Sequence, residues 1–272
     1  MEIYGLLGEK LGHSLSPEIH KMILKKHNLE GEYKIFEVPK GGISNFINEV
    51  KLLRVKGFNV TIPYKQSIMK YLDFISDEAK RIGAVNTVLL KENKLYVYNT
   101  DYFGIEVMLK KKNINVENKI AVILGTGGAS KAMITYLLDN NIAKIYIVSR
   151  NCENVDLNNI NNKIAVIGYR DLKDIKGDII INCTPVGMYP KLEESPVDKV
   201  VMSKFNVAVD IVYNPHKTKF LKIAKEQGCI IVGGLYMLVG QAFKSQCIFN
   251  NIKMDNELIE FIYKDLVDKN LV

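Results

Sequence analysis

Gly125-Thr126-Gly127-Gly128-Ala129-Ser130 follows directly on the apolar run Ile120-Ala121-Val122-Ile123-Leu124, and this is where the chain's chemistry is most legible. Glycine here permits a tight turn, lets the backbone approach a pyrophosphate, and leaves the amides of a following helix start facing the anion. The third fingerprint position is Ser130 where Gly or Ala is usual, and Ser is small enough to keep helix and strand close. The pattern is that of a dinucleotide site. One strand later comes Ser149-Arg150-Asn151, where a protein selecting NAD offers Asp or Glu to the ribose hydroxyls. Arg150 offers a planar, permanently charged fork suited to a 2′-phosphate, so NADP is expected over NAD; a merely solvated Arg150 is the plain alternative.

Further stretches place polar side chains where strands end. His13-Ser14-Leu15-Ser16-Pro17 puts two hydroxyls two residues apart at a helix start, where both could donate to a carboxylate; Ser16 capping its own helix is the alternative. His13 is read as a structural hydrogen-bonding residue. Lys65 ends Asn59-Val60-Thr61-Ile62-Pro63-Tyr64-Lys65, in which Pro63 stops the regular structure at the carboxyl edge of a sheet, and Lys65 is either functional or one more solvated lysine. Asp101, after Asn99-Thr100, is either a helix cap or a catalyst. Asn182-Cys183-Thr184-Pro185-Val186-Gly187-Met188 and Asp210-Ile211-Val212-Tyr213-Asn214-Pro215 form two polar loops at the same kind of edge.

The elements that must position these residues alternate. Strands are expected over residues 3–7, 33–38 and 58–61, helices over 16–27 and 43–55, and a hairpin over 85–98 turning at Glu92-Asn93. After a helix over 102–111, residues 119–150 read as one βαβ unit with its helix over 131–140; strands follow at 164–167, 178–182, 206–210 and 229–232, and helices at 218–227, after 233, and at 257–267. The fold class is α/β in two domains. An N-terminal α/β domain spans 1–101 and is completed by 235–272, whose helices pack back on it; a Rossmann-type, doubly wound parallel sheet spans 102–234.

Composition agrees with this. The chain has 272 residues, 47% hydrophobic and 25% charged, with no apolar run approaching a membrane span and no export signal at its start. Four scattered cysteines without a C-x-x-C pair read as reduced, buried thiols, which points to the cytoplasm, and no metal site is expected. The net charge of +7 is spread among acids, so a nucleic-acid partner is not expected, while anionic small molecules are favoured.

Assembled in this order, the stretches 13–17, 59–65, Gly83-Ala84-Val85-Asn86-Thr87, 99–101, 125–130 and 233–242 resemble the shikimate dehydrogenase family over nearly the whole chain. The resemblance implies reversible, NADP-dependent interconversion of 3-dehydroshikimate and shikimate, on the route to chorismate and the aromatic amino acids. It implies Lys65 and Asp101 as the catalytic pair, Ser14 and Ser16 on the substrate carboxylate, and Thr61, Asn86, Tyr213 and Gln241 on the ring and its hydroxyls. The cofactor set expected is Gly125, Thr126, Gly127, Gly128, Ala129, Ser149, Arg150, Thr184, Met188, Ile211, Gly234 and Met237. The partner is the small-molecule substrate, without membrane, in a monomer or homodimer.

Two positions depart from the family's pattern. Where the family commonly has Asn-Arg-Thr followed by a further basic residue, this chain has Ser149-Arg150-Asn151 and then Cys152-Glu153, and Glu9-Lys10 replaces Pro-Ile. Rival readings are a quinate/shikimate dehydrogenase using NAD, and a NADPH-binding sensor without turnover.

Overall fold

The structure is a computed structural model, and it describes residues 1–12, 14–153, 155, 162–269 and 271; His13 and Asn154 lie outside the described residues. The chain divides into two compact units, one formed by Met1–Gly104 with Leu238–Leu271 and the other by Ile105–Met237.

The first unit begins with β1 (Glu2–Gly8), α1 (Ser16–Lys26), β2 (Gly31–Glu37), α2 (Ile43–Leu52) and β3 (Gly57–Val60). It continues through β4 (Phe74–Ile75), α3 (Asp77–Ile82), β5 (Thr87–Lys91), β6 (Lys94–Tyr98) and the start of α4 (Asp101–Lys111). Its sheet has the order β2-β1-β3-β5-β6-β4. The first three strands are parallel, as strands joined by crossover helices must be, and the β5–β6 hairpin enters antiparallel to β3. Glu92 and Asn93 turn that hairpin with φ of 51° and 59°, the left-handed pair that matches strand twist. α2 turns Ile43, Phe46, Ile47 and Val50 onto the sheet, and Phe46 meets Phe58 of β3 edge to face with ring centroids 5.2 Å apart.

The second unit contains β7 (Ile120–Leu124), α5 (Gly128–Asp139), β8 (Lys144–Ser149), β9 (Ile164–Gly168), β10 (Ile179–Asn182), α6 (Lys199–Met202), β11 (Val207–Asp210), α7 (Lys219–Glu226) and β12 (Ile230–Gly233). Every pairing is parallel, in the order β12-β11-β10-β7-β8-β9. Numbered within the unit that is 6-5-4-1-2-3, the doubly wound order that reverses direction between β7 and β10. Val122, Leu124, Ile180 and Ala208 are buried, and Phe205, Phe220 and Leu221 pack in the same cluster. α8 (Leu235–Asn250) begins in this unit and ends in the first, where α9 (Asn256–Asp268) follows.

Some boundaries differ from those the sequence suggests. α5 starts at Gly128, three residues earlier than expected, because Gly127 is already its cap; Gly128, Ala129 and Ser130 therefore form the helix's first turn. α2 stops at Leu52, since Arg54 adopts a left-handed φ of 51°. In α1 the cap residue is Leu15, and Ser16 lies inside the helix with its N–H given to Ser14 Oγ at 3.2 Å. The alternative of Ser16 as the cap is thus not the one the backbone takes.

Candidate active site

The carboxyl edge of the first unit's sheet gathers side chains from four elements. β3 runs out into Thr61 and Pro63, and the backbone then turns so that the Lys65 carbonyl accepts the Val85 N–H at 2.8 Å. Lys65 Nζ lies 2.5 Å from Asp101 Oδ2, with side chains only 15% and 5% exposed. The other carboxylate oxygen of Asp101 accepts Asn86 Nδ2 at 2.9 Å, and Asn99 Oδ1 takes the Asp101 N–H at 3.0 Å. Both carboxylate oxygens are therefore held by side-chain donors. Asp101 is itself the first residue of α4, so its position at a helix start and its pairing with Lys65 coexist.

Asn86 is fixed in one orientation. Its Oδ1 accepts the Thr100 N–H at 2.7 Å and the Thr87 hydroxyl at 3.0 Å, while its Nδ2 faces Asp101 and, at 3.4 Å, Gln241 Oε1 from α8. Reversing the amide would set N–H against N–H and oxygen against carboxylate. Behind it, the hydroxyls of Thr87, Thr100 and Ser245 lie 2.9 to 3.1 Å from one another, and Asn59 Nδ2 reaches Ser245 Oγ at 2.7 Å. All five side chains are buried. Tyr33, stacked on the buried His20 with centroids 3.9 Å apart, donates to Asn59 Oδ1 at 2.9 Å. Burial drives the His20 imidazole down to about 3, so it stays neutral.

Lys65, Asp101, Asn86 and Gln241 are thus directly connected. Ser14 and Ser16 are bonded to each other at the start of α1, and Thr61 flanks Gly8 closely enough that a Cβ there would be 2.9 Å from Thr61 Cγ2. Tyr213 belongs to the second unit. Asn59, Thr87, Thr100 and Ser245 were not singled out as site residues by the sequence; three of them lie inside the stretches 59–65, 83–87 and 99–101, and that proximity was the available signal.

In the second unit the switch point presents the glycine turn. Gly125 has φ of +103° and its N–H goes to Val148 O at 3.1 Å, so the chain leaves β7 through a conformation that glycine tolerates best. A Cβ on Gly127 would meet nothing within 4 Å, and Gly127 caps α5 with no side chain to satisfy the first amides. Open space before uncapped amides fits a phosphate. Ser130, fully buried, donates to Gly125 O at 2.8 Å and so closes the turn from within the helix. Thr184 Cγ2 would lie 3.0 Å from a Cβ on Gly125, which sets the loop after β10 against this turn. Gly234 allows the closest approach of all: a Cβ there would stand 2.2 Å from Ile211 O. Met237 is buried, whereas Met188 and Arg150 are exposed.

The two loops share one hidden fastener. Asp210, at the end of β11, is fully buried; its Oδ1 accepts Asn182 Nδ2 and Val212 N–H, each at 3.0 Å, and its Oδ2 accepts the Thr218 hydroxyl at 2.5 Å. Burial pushes the carboxyl up to about 7 against the pull of these donors. Among the described residues no group of three or more His, Cys, Asp or Glu could hold a metal ion, and no helix is long and apolar enough to cross a membrane.

Residues 6–88 match the family described as shikimate dehydrogenase substrate binding domain. A relative from Clostridium beijerinckii, called shikimate dehydrogenase (NADP(+)), is 51% identical over 263 residues, 97% of this chain and 97% of its own length. Among solved structures, shikimate dehydrogenase 1 from Peptoclostridium difficile superposes with a TM-score of 0.94 at 54% identity, covering 98% of both chains. Shikimate 5-dehydrogenase from Thermus thermophilus, solved with NADP(H) and shikimate, gives a TM-score of 0.85 at 29% identity, covering 97% of this chain and 99% of that one. With such likeness along essentially its full length, and the same two-unit α/β build, the chain belongs to the shikimate dehydrogenase family.

Proposed function

We propose that this chain is an NADP-dependent shikimate dehydrogenase, reversibly reducing 3-dehydroshikimate to shikimate on the route to chorismate and the aromatic amino acids. The observation that carries the reading is the 2.5 Å pairing of Lys65 Nζ with Asp101 Oδ2 at a sheet edge, largely but not wholly shielded from water.

As the ketone is reduced, negative charge develops on its oxygen, and the Lys65 ammonium stabilises that charge and delivers the proton. Asp101 orients the ammonium, and Asn86 orients Asp101 through its other oxygen. In the oxidising direction Lys65, once deprotonated, takes the proton back. Ser14 and Ser16 take the substrate carboxylate; Thr61, Asn86, Gln241 and Tyr213 take the ring hydroxyls. The first unit is the substrate and catalytic half and the second the nucleotide half. When bound, NADPH supplies the hydride. Gly125 to Ala129 hold its pyrophosphate, Arg150 and Ser149 the 2′-phosphate end, and Thr184, Met188, Ile211, Gly234 and Met237 the remainder. We place the protein in the cytoplasm, on the strength of four cysteines that form no disulfide, of which only Cys229 is buried where all four were expected to be, as a monomer or homodimer without a nucleic-acid partner.

The test is a steady-state assay with shikimate and quinate, each with NADP+ and NAD+. Fastest turnover is expected with shikimate and NADP+. Faster quinate oxidation with NAD+ would replace the reading with a quinate dehydrogenase, and tight NADPH binding without turnover would leave a sensor.

A further inference from the structure

Arginine is scarce in this chain. It has four, Arg54, Arg81, Arg150 and Arg170, so that 33 of its 37 basic residues are lysine, and only Arg150 and Arg170 fall within the second unit. Where a basic residue serves only as solvated charge, this chain supplies lysine. Arginine differs in presenting a rigid fork that meets two oxygens of one phosphate at once.

Both arginines of the unit stand at neighbouring strand ends. β8 and β9 run parallel, about 4.8 Å apart as paired strands are, and their last register pair is Ser149 with Gly168. Arg150 is one residue beyond that pair and Arg170 two, and both are exposed. The ends are in contact, since a Cβ on Gly168 would lie 4.0 Å from Cys152 Sγ. Tyr169, which precedes Arg170, lies within reach of the Arg150 charge: burial raises its phenol, and that charge pulls against the rise. Lys119, Lys191 and Lys219 of this unit form ion pairs, whereas among the described residues neither arginine does. Asp171, beside Arg170, turns its Oδ2 to the Gly168 N–H at 3.0 Å. Two guanidiniums at adjacent strand ends, neither in an ion pair among the described residues, leave a positive edge that a dianion would relieve.

We infer that Arg170 is a second specificity-determining residue for the cofactor, closing on the 2′-phosphate from β9 while Arg150 closes from β8. It supplies the second cation that Cys152 and Glu153 do not. The inference rests on the NADP reading above.

Calorimetric titration of the full chain with NADP+, NAD+ and adenosine 2′,5′-bisphosphate tests it, using Arg170→Ala, Arg170→Lys and Arg150→Ala. Arg170→Ala is expected to weaken NADP+ and the bisphosphate by about tenfold or more, as loss of a charge-assisted bidentate contact does, with NAD+ within about twofold. Arg170→Lys recovers only part of the loss. If the unaltered chain prefers NADP+ but Arg170→Ala weakens both dinucleotides alike, or neither, Arg170 has no such role while the cofactor reading stands. If the unaltered chain binds NADP+ and NAD+ equally, the cofactor reading itself is overturned. Circular dichroism establishes that each variant is folded.

Discussion

Asn86 and Asp101 form the hinge on which the site's geometry turns: the Asn86 amide grips one carboxylate oxygen at 2.9 Å, leaving the other to meet the Lys65 ammonium. A carboxylate so gripped cannot rotate freely, and the ammonium inherits that order. The pairs involved are 15 and 36 residues apart in the chain, and the turns after β3 and β6 bring them together.

Lys65→Ala removes the proposed proton donor while leaving the Asn86 network in place. Turnover with shikimate and NADP+ is expected to fall about a hundredfold or more, with a much smaller change in the substrate Kd. Full activity in this variant would take the acid role away from Lys65. Single-turnover kinetics separates the chemical step from binding.

Thr87→Val keeps the side chain's shape and deletes a hydroxyl that donates to Asn86 Oδ1 and touches Ser245 Oγ at 2.9 Å. Buried polar groups left short of partners cost about 1–3 kcal/mol, so KM for shikimate should rise severalfold with KM for NADP+ unchanged. Thr87→Ser, which restores the oxygen, should restore KM. A uniform loss in both variants would mean that the hydroxyl positions nothing.

Arg150→Ala should weaken NADP+ more than NAD+, because the guanidinium contributes chiefly where a 2′-phosphate exists. Competitive binding curves for the two dinucleotides decide it; equal losses would mean Arg150 does not read that phosphate.

Gly234→Ala forces a Cβ to within 2.2 Å of the Ile211 carbonyl oxygen, and the backbone on one side must move. A destabilisation of about 3 kcal/mol or more is expected from such overpacking, together with weaker NADP+ binding, measured by urea unfolding and titration.

Asp210→Asn tests the buried carboxyl. Its folded value of about 7 exceeds the unfolded 3.8, so the folded unit holds the proton more firmly. Its contribution is fully present below pH 3.8 and is lost as pH rises through about 7. His20 acts oppositely: held down to about 3 from 6.5, it favours the fold above pH 6.5 and withdraws that support as pH falls toward 3. The two slopes oppose each other between roughly pH 4 and 6.5. Asn at position 210 keeps an oxygen for Asn182 and Val212 and cannot ionise. Urea midpoints of the variant and the unaltered chain, compared at pH 5 and at pH 8, should converge at the lower value and separate in the variant's favour at the higher one. Parallel curves would mean that Asp210 is ionised throughout.

Much of the architecture could be read from residue order alone, for reasons that are physical. β7 is apolar and β-branched because both faces are covered, and the Asn in the β5–β6 turn tolerates the left-handed backbone it needs. α3 and β4, six and two residues long, carry too little periodicity to be seen. Periodicity starts α5 three residues late because Gly128 and Ala129 have no apolar period to announce a helix. Lys65 and Asp101 stand out as strand-end residues, but their pairing is legible only through the family resemblance, since nothing in either stretch encodes the other. The hydroxyls of Thr87, Thr100 and Ser245 were invisible as a group: they meet across gaps of 13 to 158 residues, and Ser and Thr look alike in turns and in buried networks. Asp210 fell within a stretch already marked as polar, but alternation along a strand reports side, not depth.

The first unit is made from both the beginning of the chain and its last helices, with α8 crossing into it from the second. During synthesis, then, the second unit is complete while the first still lacks Gln241 and Ser245. Until α8 emerges, Asn59, Thr87 and Thr100 face water rather than their helix partner. The unit that holds Lys65 and Asp101 is finished after the other on the ribosome, so a polypeptide released early from translation would carry the glycine turn complete and the Asn86 network open.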